Sequence, residues 1–216
     1  MYTAVILCGG ESSRSELEYN KVFYRFYDKP LVVYAIERFR KDSECQKIVI
    51  ASRKKDIELF QSFVALDITV IEGGMNRQES AKIALNHVQT PYVMIHDGSR
   101  GYFSMETLNR LKEGFKDYLS VSPAVPVIDT LKRVNKQGMI YEDVNRDQLY
   151  QIQTPQAFHT KFIKEAHQID DNVEYPCDAS LIKGRLNIET KIVLGDRKNL
   201  KLTTPEDLQL LELILL

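Results

Sequence analysis

The apolar positions of this chain follow two periods that take turns. Continuous runs at 2–7 (YTAVIL), 47–52 (KIVIAS), 68–73 (ITVIEG) and 92–97 (YVMIHD) are β-branched and bounded by polar residues or glycine, the mark of buried strands. Between them the spacing turns helical. Residues 30–41 bring Leu31, Tyr34, Ala35, Ile36 and Phe39 near one face. Residues 55–66 do the same with Ile57, Leu59, Phe60 and Phe63, and residues 76–88 with Ile83, Ala84 and Val88. Strands that are apolar throughout, alternating with helices, predict a mostly parallel α/β sheet of Rossmann-like type covered on both faces. Ligands of such sheets collect at the carboxyl ends of the strands, so the loops after Leu7, Gly73 and Ile95 carry the interest.

The pattern continues with a helix over 104–118 capped by Ser104, and a strand over 119–127 whose Pro123 and Pro126 put part of it at a bend or an edge. From about 129 to 150 the text becomes short extended pieces, a KQG turn and many charges. This reads as a projecting β-arm or, alternatively, a solvated excursion. A helix is predicted to open after Thr154–Pro155 and run to 169, followed by a strand over 187–195. A last helix has Thr204 as N-cap and Pro205 in its first turn. No internal repeat interrupts the chain, so residues 1–216 read as one domain carrying the arm.

Composition changes little in this picture. A net charge of −1 leaves no global positive field for nucleic acid or an anionic membrane, so any anion site must be local. Three widely separated cysteines make neither a disulfide framework nor a zinc site. Neither a leader-like segment nor a run of membrane-spanning length is present, and a cytoplasmic location is the expectation.

The chemistry concentrates at the predicted strand ends. LCGGESSRSELEYNK, residues 7–21, follows the first strand with two glycines, Arg14 and Lys21, a loop able to turn backbone N–H groups toward an anion, although a plain tight turn also explains it. It is neither a P-loop nor G-x-G-x-x-G. Asp97, ending the fourth strand in HDGSR, suits ribose hydroxyls or a hydrated magnesium ion; a helix cap or an ion pair with Arg100 is the alternative. The arm adds Asp129, Thr130, Lys132, Arg133 and Arg146, and Lys201 lies just before the final helix. Together these groups suit a nucleoside triphosphate beside a second phosphate ester, and hence nucleotidyl transfer, which needs positioning and charge neutralisation more than a covalent intermediate.

Seven blocks, ILCGGESSR with NKVF, IEGGMNRQESA, VMIHDGSR, PVIDTLKRV, VNRDQLYQIQTPQAF, CDASLI and NLKLTTPEDL, occur in the order and approximate spacing of a known family. Through them the chain resembles the sugar- and polyol-phosphate cytidylyltransferases, above all the 2-C-methyl-D-erythritol 4-phosphate cytidylyltransferase family of the non-mevalonate isoprenoid pathway, with a nucleotide-diphospho-sugar transferase-like fold. The resemblance implies that Arg14 and Lys21 grip the triphosphate of CTP. It implies that Cys8, Gly9, Gly10, Ser12, Gly73, Gly74 and Ser80 hold the nucleoside, and that Asp97 serves ribose and Mg²⁺. Thr130, Arg146, Thr154 and Lys201 would meet the acceptor phosphate, a polyol phosphate, with Thr130 and Arg146 reaching across a homodimer. Arg14, Lys21, Arg146 and Lys201 are the implied catalytic groups. A ribitol-5-phosphate cytidylyltransferase shares several blocks, and a non-catalytic nucleotide-binding protein is the reading from another class. The chain departs from the family at Ser12, Ser15, Met75, Gly101 and Cys177, where glycine, methionine, an acid, proline and an acid are usual.

Overall fold

The computed structural model describes residues 1–10, 19–61, 65 and 68–216. Its first strand, β1 (Tyr2–Leu7), is buried along its whole length because both of its faces are apolar. Tyr2, Ala4 and Ile6 join a core layer with Val32, Phe39, Phe103 and Leu108, while Val5 and Leu7 join a second layer with Ala81, Leu85, Ile163 and Ile182. A strand apolar on both faces must be covered on both, and that one requirement sets the three-layer arrangement.

After β1 come a small hairpin, β2 (Arg25–Phe26) and β3 (Lys29–Pro30), then helix α1 (Leu31–Arg40), β4 (Cys45–Ser52), α2 (Ile57–Phe60), β5 (Ile68–Glu72), α3 (Arg77–Leu85) and β6 (Tyr92–Asp97). The predicted strands agree closely with β1, β4, β5 and β6. The second predicted helix does not: Leu59 is exposed, the helical segment described is the short α2, and Phe63 lies outside the described residues.

The second half contains α4 (Met105–Gly114), β7 (Ser120–Pro126), β8 (Leu131–Val134), β9 (Ile140–Val144), β10 (Tyr150–Ile152), β11 (Gln156–His159), α5 (Thr160–Gln168), α6 (Asp178–Leu186), β12 (Lys191–Leu194) and α7 (Asp207–Leu215). As predicted, Ser104 caps α4, its hydroxyl accepting from the Thr107 N–H at 3.2 Å. Residues 156–159, however, form a strand instead of opening a helix. β11 fills the space between β6 and β7 and pairs antiparallel to both, a tertiary demand that local helical spacing does not reveal. The last helix also starts later than predicted. The Asp207 carboxylate accepts from the amides of Thr203 and Thr204 at 2.7 and 2.8 Å, so capping runs backward from the helix to the threonines. Helix α6 has no forecast in the spacing, and Asn187, expected in a strand, is its left-handed C-cap at φ 54°.

The main sheet runs β5-β4-β1-β6-β11-β7, with β10 pairing the far half of β7 and β12 pairing β7 in parallel. Among its members, β10 and β11 are antiparallel to β7. The chain moves outward from β1 to β4 and β5, then returns to β6 on the other side of β1, so β1 is the topological switch point. Register aligns the strand ends there, with Leu7 opposite both Ala51 and Asp97. The ladder continues into the loops, through Cys8 N–H to Ala51 O at 2.7 Å, Gly98 N–H to Leu7 O at 2.9 Å and Gly73 N–H to Ser52 O at 2.8 Å. Outside the sheet, and among the described residues, β8 and β9 pair only with each other, closed by Asn135 and Gly138 (φ +79°), and form the projecting arm.

One hydroxyl joins the two kinds of strand at the site end. Between β10 and β11 the pairing with β7 shifts register, and there Thr154 Oγ1 accepts from the Asp97 N–H at 3.0 Å and donates to His96 Nδ1 at 3.0 Å. His96 Nε2–H in turn donates to Arg100 O at 2.8 Å, which fixes the tautomer. Burial pushes the His96 imidazole down to about 4, so it serves as a neutral linker. Replacing Thr154 by Val is expected to lower stability by about 2 kcal/mol, since two buried polar groups lose their partner. An unchanged urea midpoint would rule out this hydroxyl as a structural link.

Candidate active site

The loop after β1 is held from its far end. Asn20 donates through Nδ2 to Cys8 O at 2.6 Å and to Asp56 Oδ2 at 3.0 Å, and its Oδ1 accepts from Val22 N–H at 3.3 Å. Asp56, buried, is itself paired with Arg53 Nε at 2.6 Å. These bonds set the single helical turn Lys21–Phe23 against the end of β1 and the turn Lys54–Asp56 that follows β4, and Lys21 is buried at its start. Arg14 and Ser12 lie outside the described residues, as does Ser15.

The glycine pair after β5 has a packing reason. A Cβ at Gly73 would stand 2.8 Å from Ser80 Oγ, and one at Gly74 2.2 Å from Glu79 Cγ, so only glycines let the first turn of α3 fold back over the strand end. Ser80 Oγ accepts from Gly74 N–H at 3.0 Å and donates to Asn76 O at 2.8 Å, which makes Ser80 the lock of this turn. Asn76 caps α3, accepting from Glu79 N–H at 2.8 Å. Met75 is 97% exposed at the rim.

The centre is Asp97. Its Oδ1 accepts from Arg77 Nε at 3.1 Å and its Oδ2 from Lys201 Nζ at 2.8 Å, with Arg100 Nε 3.9 Å away. Burial alone would push this carboxyl up, but Arg77, then Lys201 and Arg100, hold it well below the usual carboxylate range. Arg77 extends the network: its Nη1 donates to Asp178 Oδ2 at 2.7 Å, and Asp178 Oδ1 lies 3.3 Å from His167 Nε2. Burial disfavours the Asp178 carboxylate too, yet Arg77 and His167 keep it below its ordinary value. Sequence reasoning did not single out Arg77. The available signal was a cation in the first turn of a helix, where the macrodipole disfavours positive charge unless a carboxylate answers it.

These residues enclose a cavity of about 420 Å³ over the switch point. Cys8, Gly9, Gly10, Lys21, Gly74, Ser80, Asp97 and Lys201 line it, together with Arg77 and Met75. Gly73 does not line it, and Thr154 spends its hydroxyl on Asp97 and His96. Thr130 and Arg146 are exposed on and beside the arm, where Arg146 Nη1 donates to Ile128 O, and neither lines this cavity. A second cavity of about 460 Å³ lies on the other side of Lys201, lined by Arg100, Gln153, Arg197, Asn199 and Thr203 among others. Among the described residues no cluster of three or more His, Cys, Asp and Glu gathers. The first cavity offers Asp97 as its single carboxylate among them, which is no protein-built metal cage. A single carboxylate is compatible with magnesium, an ion that takes one or two carboxylates and completes its shell with substrate phosphates and water, but here both Asp97 oxygens also accept from Arg77 and Lys201.

Known proteins resemble this chain over its length. The family described as 2-C-methyl-D-erythritol 4-phosphate cytidylyltransferase matches residues 2–216. The enzyme of that name from Bacillus cytotoxicus is 34% identical over 220 residues, covering 98% of this chain and 96% of its own. The crystal structure of the Thermus thermophilus enzyme of the same name superposes with a TM-score of 0.85 at 26% identity, covering 100% of both chains. The bifunctional IspDF from Campylobacter jejuni matches at 31% identity and a TM-score of 0.84; 97% of this chain is covered and 53% of that one. Among the described residues no helix is long and apolar enough to cross a membrane.

Burial raises the Cys8 thiol far above its ordinary value and Cys45 to about 11, so neither supplies thiolate at neutral pH. Iodoacetamide at pH 8 is expected to leave Cys8 and Cys45 unmodified in the native protein and to label them after unfolding. Peptide mapping that finds Cys8 alkylated at a native rate comparable to a free thiol would contradict the buried packing described above.

Proposed function

The chain belongs to the 2-C-methyl-D-erythritol 4-phosphate cytidylyltransferase family, and from that premise we propose how its strand-end cavity performs the transfer. The enzyme is a CTP-dependent cytidylyltransferase that moves CMP from CTP to 2-C-methyl-D-erythritol 4-phosphate, a step of isoprenoid precursor synthesis. The observation that carries the mechanism is the meeting of Lys21, Asp97 and Lys201 on one cavity at the switch point.

An oxygen of the acceptor phosphate attacks the α-phosphorus, a new P–O bond forms, and the bond from the α-phosphorus to the bridging oxygen breaks. Pyrophosphate leaves with that electron pair. Charge grows on oxygens around the α-phosphorus, so a preorganised cation beside it lowers the barrier. Lys21, fixed through the Asn20 bonds, takes this role together with Arg14. Cys8, Gly9, Gly10, Gly74 and Ser80 hold the nucleoside with the turn at Gly73, and Asp97 accepts from ribose. Magnesium, when bound at Asp97 and the triphosphate, would neutralise charge on the leaving pyrophosphate. Lys201, which lines both cavities, reaches the acceptor phosphate from the side of the second one.

Thr130 and Arg146 complete the acceptor site from a second copy of the chain. Support for this homodimer comes from the arm itself: Val134, Met139, Ile140 and Tyr141 are exposed on a two-stranded hairpin, an apolar surface that a partner would cover. Thr154 contributes by holding the Asp97 backbone. A cytoplasmic location accords with the three free cysteines.

Purified protein with CTP is expected to release pyrophosphate with methylerythritol phosphate and not with ribitol 5-phosphate; the reverse preference would overturn the acceptor. Lys21→Ala should lower kcat by at least roughly tenfold, and an unaltered kcat would remove Lys21 from the chemistry. Arg146→Ala should raise the KM for the acceptor while sparing that for CTP. At acceptor concentrations well below the KM of the Arg146→Ala variant, mixing Lys21→Ala with Arg146→Ala subunits should then restore activity above that of either parent, because a mixed dimer holds one site with both residues. No recovery after subunit exchange would show that Arg146 does not act across the interface.

A further inference from the structure

Asp97 holds more positive charge than one buried carboxylate requires, and its partners are anchored differently. Arg77 is clamped between two carboxylates, Asp97 at 3.1 Å and Asp178 at 2.7 Å, and the Asp178 side chain is 1% exposed and backed by His167. Lys201 makes its ion pair with Asp97 alone among the described residues, its side chain is 38% exposed, and it opens onto both cavities. Arg100 stands off at 3.9 Å with its Nη1 given to Asn199 O. One cation is therefore fixed and one is exchangeable.

We propose that Arg77 is a positioning residue of the transfer reaction: held by Asp178, it stays on Asp97 and thereby frees Lys201 to leave that carboxylate for an incoming phosphate. This rests on the reading of Lys201 as a phosphate-binding group. The physical reason is the asymmetry of buried ion pairs. A buried carboxylate that loses its partner is left uncompensated, and a lysine that is the sole counter-charge cannot be released readily. With Arg77 in place, the Asp97 charge stays answered when Lys201 moves. Arg77 also begins α3 at the positive end of its dipole, a costly place for a cation that only joins α3 to α6.

The test compares wild type, Arg77→Gln, Lys201→Ala and the double variant, reading calorimetric affinity for inorganic phosphate and the KM for the acceptor. Lys201→Ala weakens both. Arg77→Gln is expected to weaken both by about tenfold in the wild-type background, and to change neither by more than about twofold once Lys201 is gone, because it acts through that lysine. Effects that multiply in the double variant would mean that Arg77 is only a structural tie, and would overturn the proposal. So would an Arg77→Gln protein with unchanged affinity and KM. If Arg77→Gln does not fold, Arg77→Lys decides: it keeps the charge, and phosphate affinity within about threefold of wild type supports the proposal, whereas a tenfold loss rejects it. Phosphate binding insensitive to Lys201→Ala would overturn the inference whatever the substrates are. Absent turnover with intact Lys201-dependent phosphate binding would instead strike at the acceptor and leave the inference standing.

Discussion

A carboxylate buried at the end of a central strand constrains everything around it. Asp97 closes β6 beside the switch point, where burial penalises its charge, and Arg77 and Lys201, each on one of its oxygens, answer that charge with Arg100 behind them. Those two residues come from the start of α3 and from the segment before α7, more than a hundred positions apart in the chain. To satisfy one group, the fold must bring the β5–α3 turn, the β6 end and the C-terminal segment to the same place. The Asp178 carboxylate, a buried acid on α6, is drawn in by the same guanidinium.

The backbone supports that convergence with bonds of its own. Leu7, Ala51 and Asp97 are level in the sheet, and ladder bonds run on past them into Cys8, Gly73 and Gly98, so the loops leave the sheet side by side. Small residues are needed where these loops touch: a Cβ at Gly98 would stand 2.5 Å from Cys8 Sγ. The arrangement leaves the cavity walls rich in donors, with Lys21, Arg77 and Lys201 all on them. For phosphoryl chemistry this is most of what a protein can supply, since the reaction gains from orientation and fixed charge.

Much of this is legible in the sequence. The strand runs at 2–7 and 92–97 coincide with β1 and β6, the cap at Ser104 is made, and the glycine pairs mark the loops that line or support the cavity. Lys21, Asp97 and Lys201, named from strand-end position and family blocks, do meet. Other features were hidden. Residues 156–159 have local spacing compatible with a helix, and only the gap between β6 and β7 makes them a strand. Thr154 is indistinguishable in sequence from a ligand-facing threonine, yet its hydroxyl is spent on Asp97 and His96. Thr130 and Arg146 belong to the arm and stand apart from the cavity of their own chain.

By itself, then, the sequence determined the layered α/β class, the switch-point loop and the charged groups, because periodicity and strand-end position are local properties written into neighbouring residues. The pairing of those groups was decided by tertiary structure. Which cations share Asp97, why Arg77 is clamped and Lys201 is not, and where Asn20 directs Lys21 all depend on contacts between distant segments. A charge in a sequence carries no address. It acquires one only when burial removes water and leaves a few opposite charges within reach.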